Sequence, residues 1–311
     1  MQLIRDPYHH LPKTPAVVAT IGNFDGMHLG HQAVLKKLQQ QSKTLKLPSM
    51  LIAFEPSAKE YFASQMKDQQ SIPARLTSFH EKYALVKQQR IDHFACLRFS
   101  QTLCNMKAED FVKNILLNSL HVKHLIVGDN FQFGKNRLGD FSLLKNLAKT
   151  HAYQVENTES LLVDNERVSS SAIRKFLAAG DLKSAEKLLG RPYSMTGRVI
   201  HGDKKGRTIN FPTANIPIKR KQAPINGVFA VEVNDENAAT HFAVANIGHR
   251  PTVNGTRTQL EVHIFNFSET IYGQRLTVTF RKKLRDEKKF DSFAALKTQI
   301  ENDAQQAKEY F

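Results

Sequence analysis

Cysteine is scarce, with Cys96 and Cys104 the only two in 311 residues. They show neither zinc-ligand spacing nor the framework of a secreted disulfide fold, so both read as reduced, structural thiols. No stretch approaches the roughly 20 consecutive apolar residues that a membrane-spanning helix needs. Arg5, Asp6, His9 and His10 stand where a secretory signal would place an apolar core. Repeats and low-complexity tracts are missing as well. The expectation is a cytoplasmic protein. Its length suggests two domains, and 41% apolar residues are enough to build their cores.

Positive charge is plentiful: 44 Lys and Arg against 29 Asp and Glu give a net +15. Clustered charge of this sign would point to nucleic acid. Here it is spread, with 25 basic and 17 acidic residues up to position 190 and 19 and 12 beyond it. The densest runs, Lys219-Arg220-Lys221 and Arg281-Lys282-Lys283, are short. A diffuse positive field draws in anionic nucleotides as well as RNA, so charge alone leaves both open.

From residue 16 to about 160, apolar strand-like runs alternate with helical patterns. Strands are expected at Ala16–Ile21, Met50–Phe54, His93–Leu97 and Leu125–Gly128, with helices at 31–42, 77–89, 107–119 and 140–150. Thr77 or Ser78, and Asn105, are expected to cap the second and third helices. Strands spaced by helices imply βαβ units and a parallel sheet, with ligands at the carboxyl ends of its strands. The stretch Gly22-Asn23-Phe24-Asp25-Gly26-Met27-His28-Leu29-Gly30-His31 lies at such an end. Its glycines permit positive φ or close approach to a ligand, and the helix that follows offers free N–H groups to a phosphate. His28 and His31 fall on one face if the helix begins there. Gly128-Asp129-Asn130-Phe131-Gln132-Phe133-Gly134-Lys135-Asn136-Arg137 follows a second strand and suits a flavin ring with phosphates, or else an ordinary loop with core phenylalanines. Val168-Ser169-Ser170-Ser171-Ala172-Ile173-Arg174 reads as a helix cap or, through the same N–H groups and hydroxyls, as a triphosphate site. Asp181 should cap the next helix and Gly190 end it.

After Gly197 the texture changes to short alternating runs at Met195–Ile200, Val228–Val233, Phe242–Ile247, Gln259–Phe265 and Arg275–Phe280, then one amphipathic helix, Ser292–Lys308. A compact antiparallel sandwich or barrel is expected. The loop Gly202-Asp203-Lys204-Lys205-Gly206-Arg207 can wrap phosphates. Thr213 and Asn215, two residues apart, present oxygens of the kind Mg²⁺ prefers. Glu261 shares a strand face with His263 and Phe265, opposite Leu260, Val262 and Ile264, and is either a solvated carboxylate or a base for a substrate hydroxyl.

G-x-F-D-G-x-H-x-G-H resembles the H-x-G-H signature of the nucleotidylyltransferase superfamily, in the form found in prokaryotic riboflavin kinase/FAD synthetases. Asp129 to Arg137 is similar to that family's G-x-D-F-x-F-G-x-x-R segment, with Asn130 as an extra residue. Val168 to Arg174 is similar to I-S-S-T-x-I-R, with Ser171 for threonine. Asn210-Phe211-Pro212-Thr213-Ala214-Asn215 is similar to the riboflavin kinase signature, with Asn210 for glycine. Asn246 to Thr252, Ile271 to Gln274 and Arg281 to Asp303 also match. The resemblance implies an α/β nucleotidylyltransferase domain over 1–190 and a β-barrel riboflavin kinase domain over 191–311, making FMN and then FAD from riboflavin and ATP with Mg²⁺. It implies Glu261, His28, His31 and Arg174 as catalytic groups, and Gly22, Asn23, Phe24, Asp25, Gly30, Ser169, Ser170, Gly202, Lys205, Gly206 and Arg207 at the nucleotides. Asp129, Phe131, Phe133, Arg137 and Arg285 would contact flavin, and Thr213 and Asn215 the metal. Small molecules are then the only expected partners, with no nucleic acid, no membrane, and a monomer or weak homo-oligomer. Where the family carries proline and histidine after Phe-x-Pro, this chain has Ser57-Ala58, and an adenylylation that survives but is slower than in relatives is expected. The rival readings are a chain with only its kinase working and an RNA-binding or regulatory protein.

Overall fold

A computed structural model describes residues 1–6, 15–66, 72–202, 211–218, 220, 222–236, 239–252 and 255–311. The chain divides into two compact units, residues 1–73 with 79–169, and 74–78 with 170–311. Among the described residues no helix is long and apolar enough to cross a membrane.

In the first unit the elements are β1 (Gln2–Arg5), β2 (Val17–Ile21), α1 (Leu29–Leu45), β3 (Ser49–Phe54), α2 (Ala58–Gln65), α3 (Phe79–Gln88), β4 (His93–Leu97), α4 (Gln101–Asn105), α5 (Ala108–Asp110), β5 (Val122–Gly128), α6 (Phe141–Thr150), β6 (Gln154–Thr158) and the two-residue strands β7 (Leu162–Val163) and β8 (Glu166–Arg167). Six of the strands form a parallel sheet in the order β1-β4-β3-β2-β5-β6. Every residue of β2 is buried, which explains its unbroken apolar run: a central parallel strand is covered on both faces. Leu35 and Leu38 of α1 are fully buried, each contributing about 1.5–3 kcal/mol of apolar burial. From β2 the chain works outward to β3 and β4, whereas β5 and β6 lie on the other side. The order therefore reverses between β2 and β5, and in such sheets ligands enter at the carboxyl ends of the strands flanking that point. The loops after β2 and β5 are the two stretches singled out from sequence.

The four strands expected in this half are present. β1 and β6 are additional edge strands. Asn105 caps nothing: it is the last residue of α4, which Ser100 caps, and the next helix starts at Ala108 behind Lys107, which makes no side-chain cap. From Phe111 to Ser119 that helix widens to a π-helix, with Leu120 N–H donating to the Ile115 carbonyl at 2.9 Å. Ser57 caps α2 in a capping box, its N–H and hydroxyl both donating to Glu60 Oε2 at 3.0 and 2.9 Å. The departure at Ser57 from the family pattern thus starts a helix.

The second unit holds α7 (Ser170–Ala179), α8 (Leu182–Leu189), β9 (Ser194–Arg198), β10 (Ala214–Pro217), β11 (Gly227–Asn234), β12 (Thr240–Thr252), β13 (Gly255–Ile264), β14 (Arg275–Arg285) and α9 (Phe293–Tyr310). Asp181 caps α8 and Gly190 ends it at φ 72°, as expected. Six antiparallel strands run β10-β13-β12-β11-β14-β9. Past β9 the Ile200 N–H donates to the Asn215 carbonyl at 2.9 Å, which joins the two edges and nearly closes a barrel. β10 was not anticipated; its four residues end in a proline. Ser292 caps α9, whose Ala304 and Ala307 pack on Val228, Ala230 and Val244. Residues 74–78 belong to this unit: the Ala74 carbonyl accepts from Arg174 Nε at 2.6 Å, and the Leu76 carbonyl accepts from Tyr193 Oη at 3.0 Å and Arg220 Nη2 at 3.1 Å.

Candidate active sites

In the first unit the chain leaves β2 through a turn with three positive φ values, Phe24 at 47°, Gly26 at 86° and Met27 at 43°. Left-handed conformations at two non-glycine residues in one turn are costly and are characteristic of sites held in a required shape. Gly22 and Gly30 serve by close approach: a Cβ at Gly22 would crowd the Phe24 ring, and one at Gly30 would meet the His28 ring and the Val168 carbonyl. Val168, and with it Ser169, is thereby brought to the histidine turn.

His28 is the N-cap of α1, its Nδ1 accepting from the His31 N–H at 3.2 Å. An accepting Nδ1 leaves the proton of the neutral ring on Nε2. The imidazoles of His28 and His31 stack with centroids 3.5 Å apart, and Phe24 lies 4.8 Å from His31 on a tilted plane. His31 Nδ1 is buried with no hydrogen-bond partner. Desolvation, reinforced by the neighbouring positive charge of His28 and Lys82, holds His31 well below the ordinary histidine value of 6.5. A neutral His31 ring, stacked on His28 at a helix N-terminus, offers hydrogen-bond donation to an anion. Asn23 is exposed and Asp25 half-buried at the same turn.

The unfolded chain binds a proton at His31 below about pH 6.5, which the folded chain resists, so stability falls as pH drops under that value. His93, also lowered chiefly by burial, acts in the same direction. One such group changes stability by up to about 1.4 kcal/mol per pH unit. Urea midpoints at pH 7.5 and 5.5 should therefore differ more for the wild type than for His31→Gln; equal differences would contradict the burial cost assigned to His31.

After β5, Asp129, Asn130, Phe131, Gln132, Arg137 and Asp140 line a cavity of about 520 Å³, together with Phe141 and Ser142. Phe133, expected at the flavin, instead lies in the core, 7% exposed and stacked on Phe131 at 5.4 Å. Its neighbour Gly134 takes φ 73°, and a Cβ there would strike Ala108. Asp129 accepts from Ser160 Oγ at 2.6 Å and pairs with Arg167 at 3.1 Å. Arg167 was missed from sequence, since nothing local links it to a residue 38 positions earlier. Ser170 and Arg174 open α7 in the second unit.

In the second unit Thr213, Asn215, Gly202 and Tyr272 line a cavity of about 600 Å³ with Val262 and Phe267. Asn215 is 6% exposed, and its neighbours fix its amide: Nδ2 donates to the Thr213 carbonyl at 3.2 Å and Oδ1 accepts from Gln259 Nε2 at 2.5 Å. Gly202 is needed because a Cβ there would occupy the place of that amide. Glu261 stands directly across the β10–β13 ladder from Asn215. Leu260, Val262 and Ile264 are buried while Glu261 and His263 are half-buried, as the alternation predicts. Arg285 is engaged elsewhere, its guanidinium forked onto Asp303, with Nε at 2.9 Å from Oδ1 and Nη2 at 2.6 Å from Oδ2. Asp203, Lys204, Lys205, Gly206, Arg207 and Asn210 lie outside the described residues. Among the described residues no group of three or more His, Cys, Asp or Glu could hold a metal. The donor set of a hydroxyl and an amide oxygen instead fits a hard cation that keeps waters and phosphate oxygens in its shell.

Two sites of nucleotide-binding type, one at the switch point of a parallel α/β sheet and one in an antiparallel barrel, define a two-module nucleotide-using transferase. The comparisons give the same division. Residues 11–172 match the FAD synthetase family and 189–311 the riboflavin kinase family. The chain is 45% identical to the bifunctional riboflavin kinase/FMN adenylyltransferase of Haemophilus influenzae, over all of this chain and 99% of that one. It is 43% identical to the Escherichia coli K12 protein of the same name, over 100% and 98%. A solved structure from Streptococcus pneumoniae, named a macrolide-efflux protein, superposes with a TM-score of 0.80 at 27% identity over 97% of both chains. This chain belongs to the bifunctional riboflavin kinase/FMN adenylyltransferase family.

Proposed function

We propose that the second unit phosphorylates riboflavin with ATP and that the first joins the resulting FMN to AMP from a second ATP. The observation that carries this is that Thr213 and Asn215 line a cavity large enough for substrate while the ladder register sets Asn215 directly across from Glu261. Thr213 Oγ1 and Asn215 Oδ1 would hold Mg²⁺, which would neutralise phosphate charge when bound. Glu261 accepts the proton of the terminal ribityl hydroxyl as its oxygen attacks the γ-phosphorus and ADP leaves. Positioning and charge neutralisation dominate such transfers, so the oxygens of Thr213 and Asn215 matter more than the base. The loop from Gly202 through Lys205, Gly206 and Arg207 is assigned to the phosphates by its sequence.

In the first unit the FMN phosphate attacks the α-phosphorus of ATP and the bond to the β-phosphate breaks, releasing pyrophosphate without a covalent intermediate. His28 and His31 donate to the α- and β-phosphates as charge builds. Gly22, Asn23, Phe24, Asp25 and Gly30 shape that turn. Ser169, Ser170 and Arg174 are assigned to the pyrophosphate on motif similarity. The cavity bounded by Asp129, Phe131 and Arg137 takes the flavin, with Phe133 supporting Phe131 from the core. Arg285 is assigned to riboflavin in the second unit on motif similarity. The limits of the two family matches support functional domains of 1–190 and 191–311. Cytoplasmic residence, a monomer or weak homo-oligomer, and no nucleic-acid partner complete the reading; the even spread of charge supports the last.

Incubating the purified chain with riboflavin, ATP and Mg²⁺ and separating flavins over time should show FMN rising first and FAD following. FMN without FAD would leave only the kinase, and unchanged riboflavin would refute both activities.

A further inference from the structure

Gln259, Glu261 and His263 alternate along β13 and share the face opposite buried Leu260, Val262 and Ile264. Both outer members of this trio grip the segment that Glu261 faces. Gln259 Nε2 donates to Asn215 Oδ1 at 2.5 Å, and His263 Nδ1 bonds the Pro212 carbonyl at 2.9 Å. A carbonyl only accepts, so Nδ1 carries the proton there. The Phe211 ring lies 4.9 Å from the imidazole and backs it. Backbone pairing of β10 to β13 starts at Ala214, so Pro212 and Thr213 lie beyond the ladder, and the His263 hydrogen bond ties this corner to β13. At the other end Gln259 uses one lone pair of the Asn215 amide oxygen and leaves the second for a cation.

We propose that Gln259 and His263 are positioning residues for riboflavin phosphorylation, a two-point clamp that holds the Pro212–Asn215 corner in register with Glu261. The clamp rests on the reading of that corner as the Mg-ATP site. Partners that orient metal ligands typically change affinity or activity by about 10–100-fold when removed.

The test uses the full chain with His263→Leu, His263→Asn and Gln259→Leu. Asparagine keeps an N–H donor near the place of Nδ1, whereas leucine keeps bulk without it. Mg-ADP binding is measured by calorimetry without turnover, alongside KM for Mg-ATP and kcat for FMN formation. FMN adenylylation by the same preparations checks folding. His263→Leu and Gln259→Leu should weaken Mg-ADP binding and raise the Mg-ATP KM by about 10–100-fold, with His263→Asn recovering most of the loss. Equal Mg-ADP affinities for the leucine and asparagine variants of His263, whether both native or both weakened, would overturn the clamp. If Asn215→Ala itself left Mg-ADP binding and FMN formation intact, the reading of the corner as the Mg-ATP site would fail first.

Discussion

His31→Ala is expected to lower FMN-to-FAD conversion by about 10²–10³-fold, the usual loss when one preorganised donor to developing charge is removed. The same protein should go on converting riboflavin to FMN. The geometry explains why one ring carries so much. His31 is the third residue of α1, stacked on His28, with a desolvated imidazole whose Nδ1 lacks a partner. Its placement is an energetic cost to the ligand-free fold, and such costs are found where a site must be ready before its ligand arrives. The His31 backbone N–H still donates to His28 Nδ1 in the variant, so the cap of α1 is retained. Product separation with FMN and ATP as substrates reads the loss, and a thermal transition checks that the chain remains folded. An unchanged FAD rate would remove His31 from the reaction.

Asn215→Ala should have the complementary effect, lowering riboflavin phosphorylation by about 10²-fold or more while supplied FMN is still adenylylated. The substitution deletes the amide oxygen assigned to the cation and strands two partners, the Gln259 amide and the Thr213 carbonyl. Because Asn215 stands across the ladder from Glu261, disorder at this point also moves the base relative to the nucleotide. Raising Mg²⁺ should recover little activity, since the missing ligand and the displaced corner persist. Full recovery at high Mg²⁺ would confine the role of Asn215 to cation affinity.

Much of this arrangement is legible in the sequence. Buried parallel strands announce themselves as unbroken apolar runs, and β2, β3, β4 and the end of β5 lie where those runs do. The faces of β13 follow from period-two alternation, which put Glu261 and His263 together and Leu260 opposite. Edge strands were not legible. Gln2–Arg5 and Gln154–Thr158 carry polar residues because one side of an edge faces water, and Ala214–Pro217 ends in a residue that usually breaks strands. The π-helical stretch Phe111–Ser119 was read as ordinary helix, because widening by one residue per turn leaves the composition unchanged.

Tertiary partners were the other blind spot. Nothing near Asp129 in the chain points to Arg167, and nothing near Asn215 points to Gln259; both pairings exist only once the chain has folded. The same holds for residues 74–78, whose carbonyls are taken up by Arg174, Tyr193 and Arg220 of the second unit. Phe133 shows the converse case. Its motif position suggested ligand contact, and packing against Phe111 and Phe131 put it in the core.

Two independent sites in one chain are tested most directly by mixing His31→Ala with Asn215→Ala and supplying riboflavin, ATP and Mg²⁺. Each variant alone should stop short of FAD, the first at FMN and the second at riboflavin, while the mixture should make FAD as FMN released by one is used by the other. Loss of both steps in either folded variant, or a mixture that makes no more FAD from riboflavin than its parts do, would contradict the division of the two reactions between the two sites.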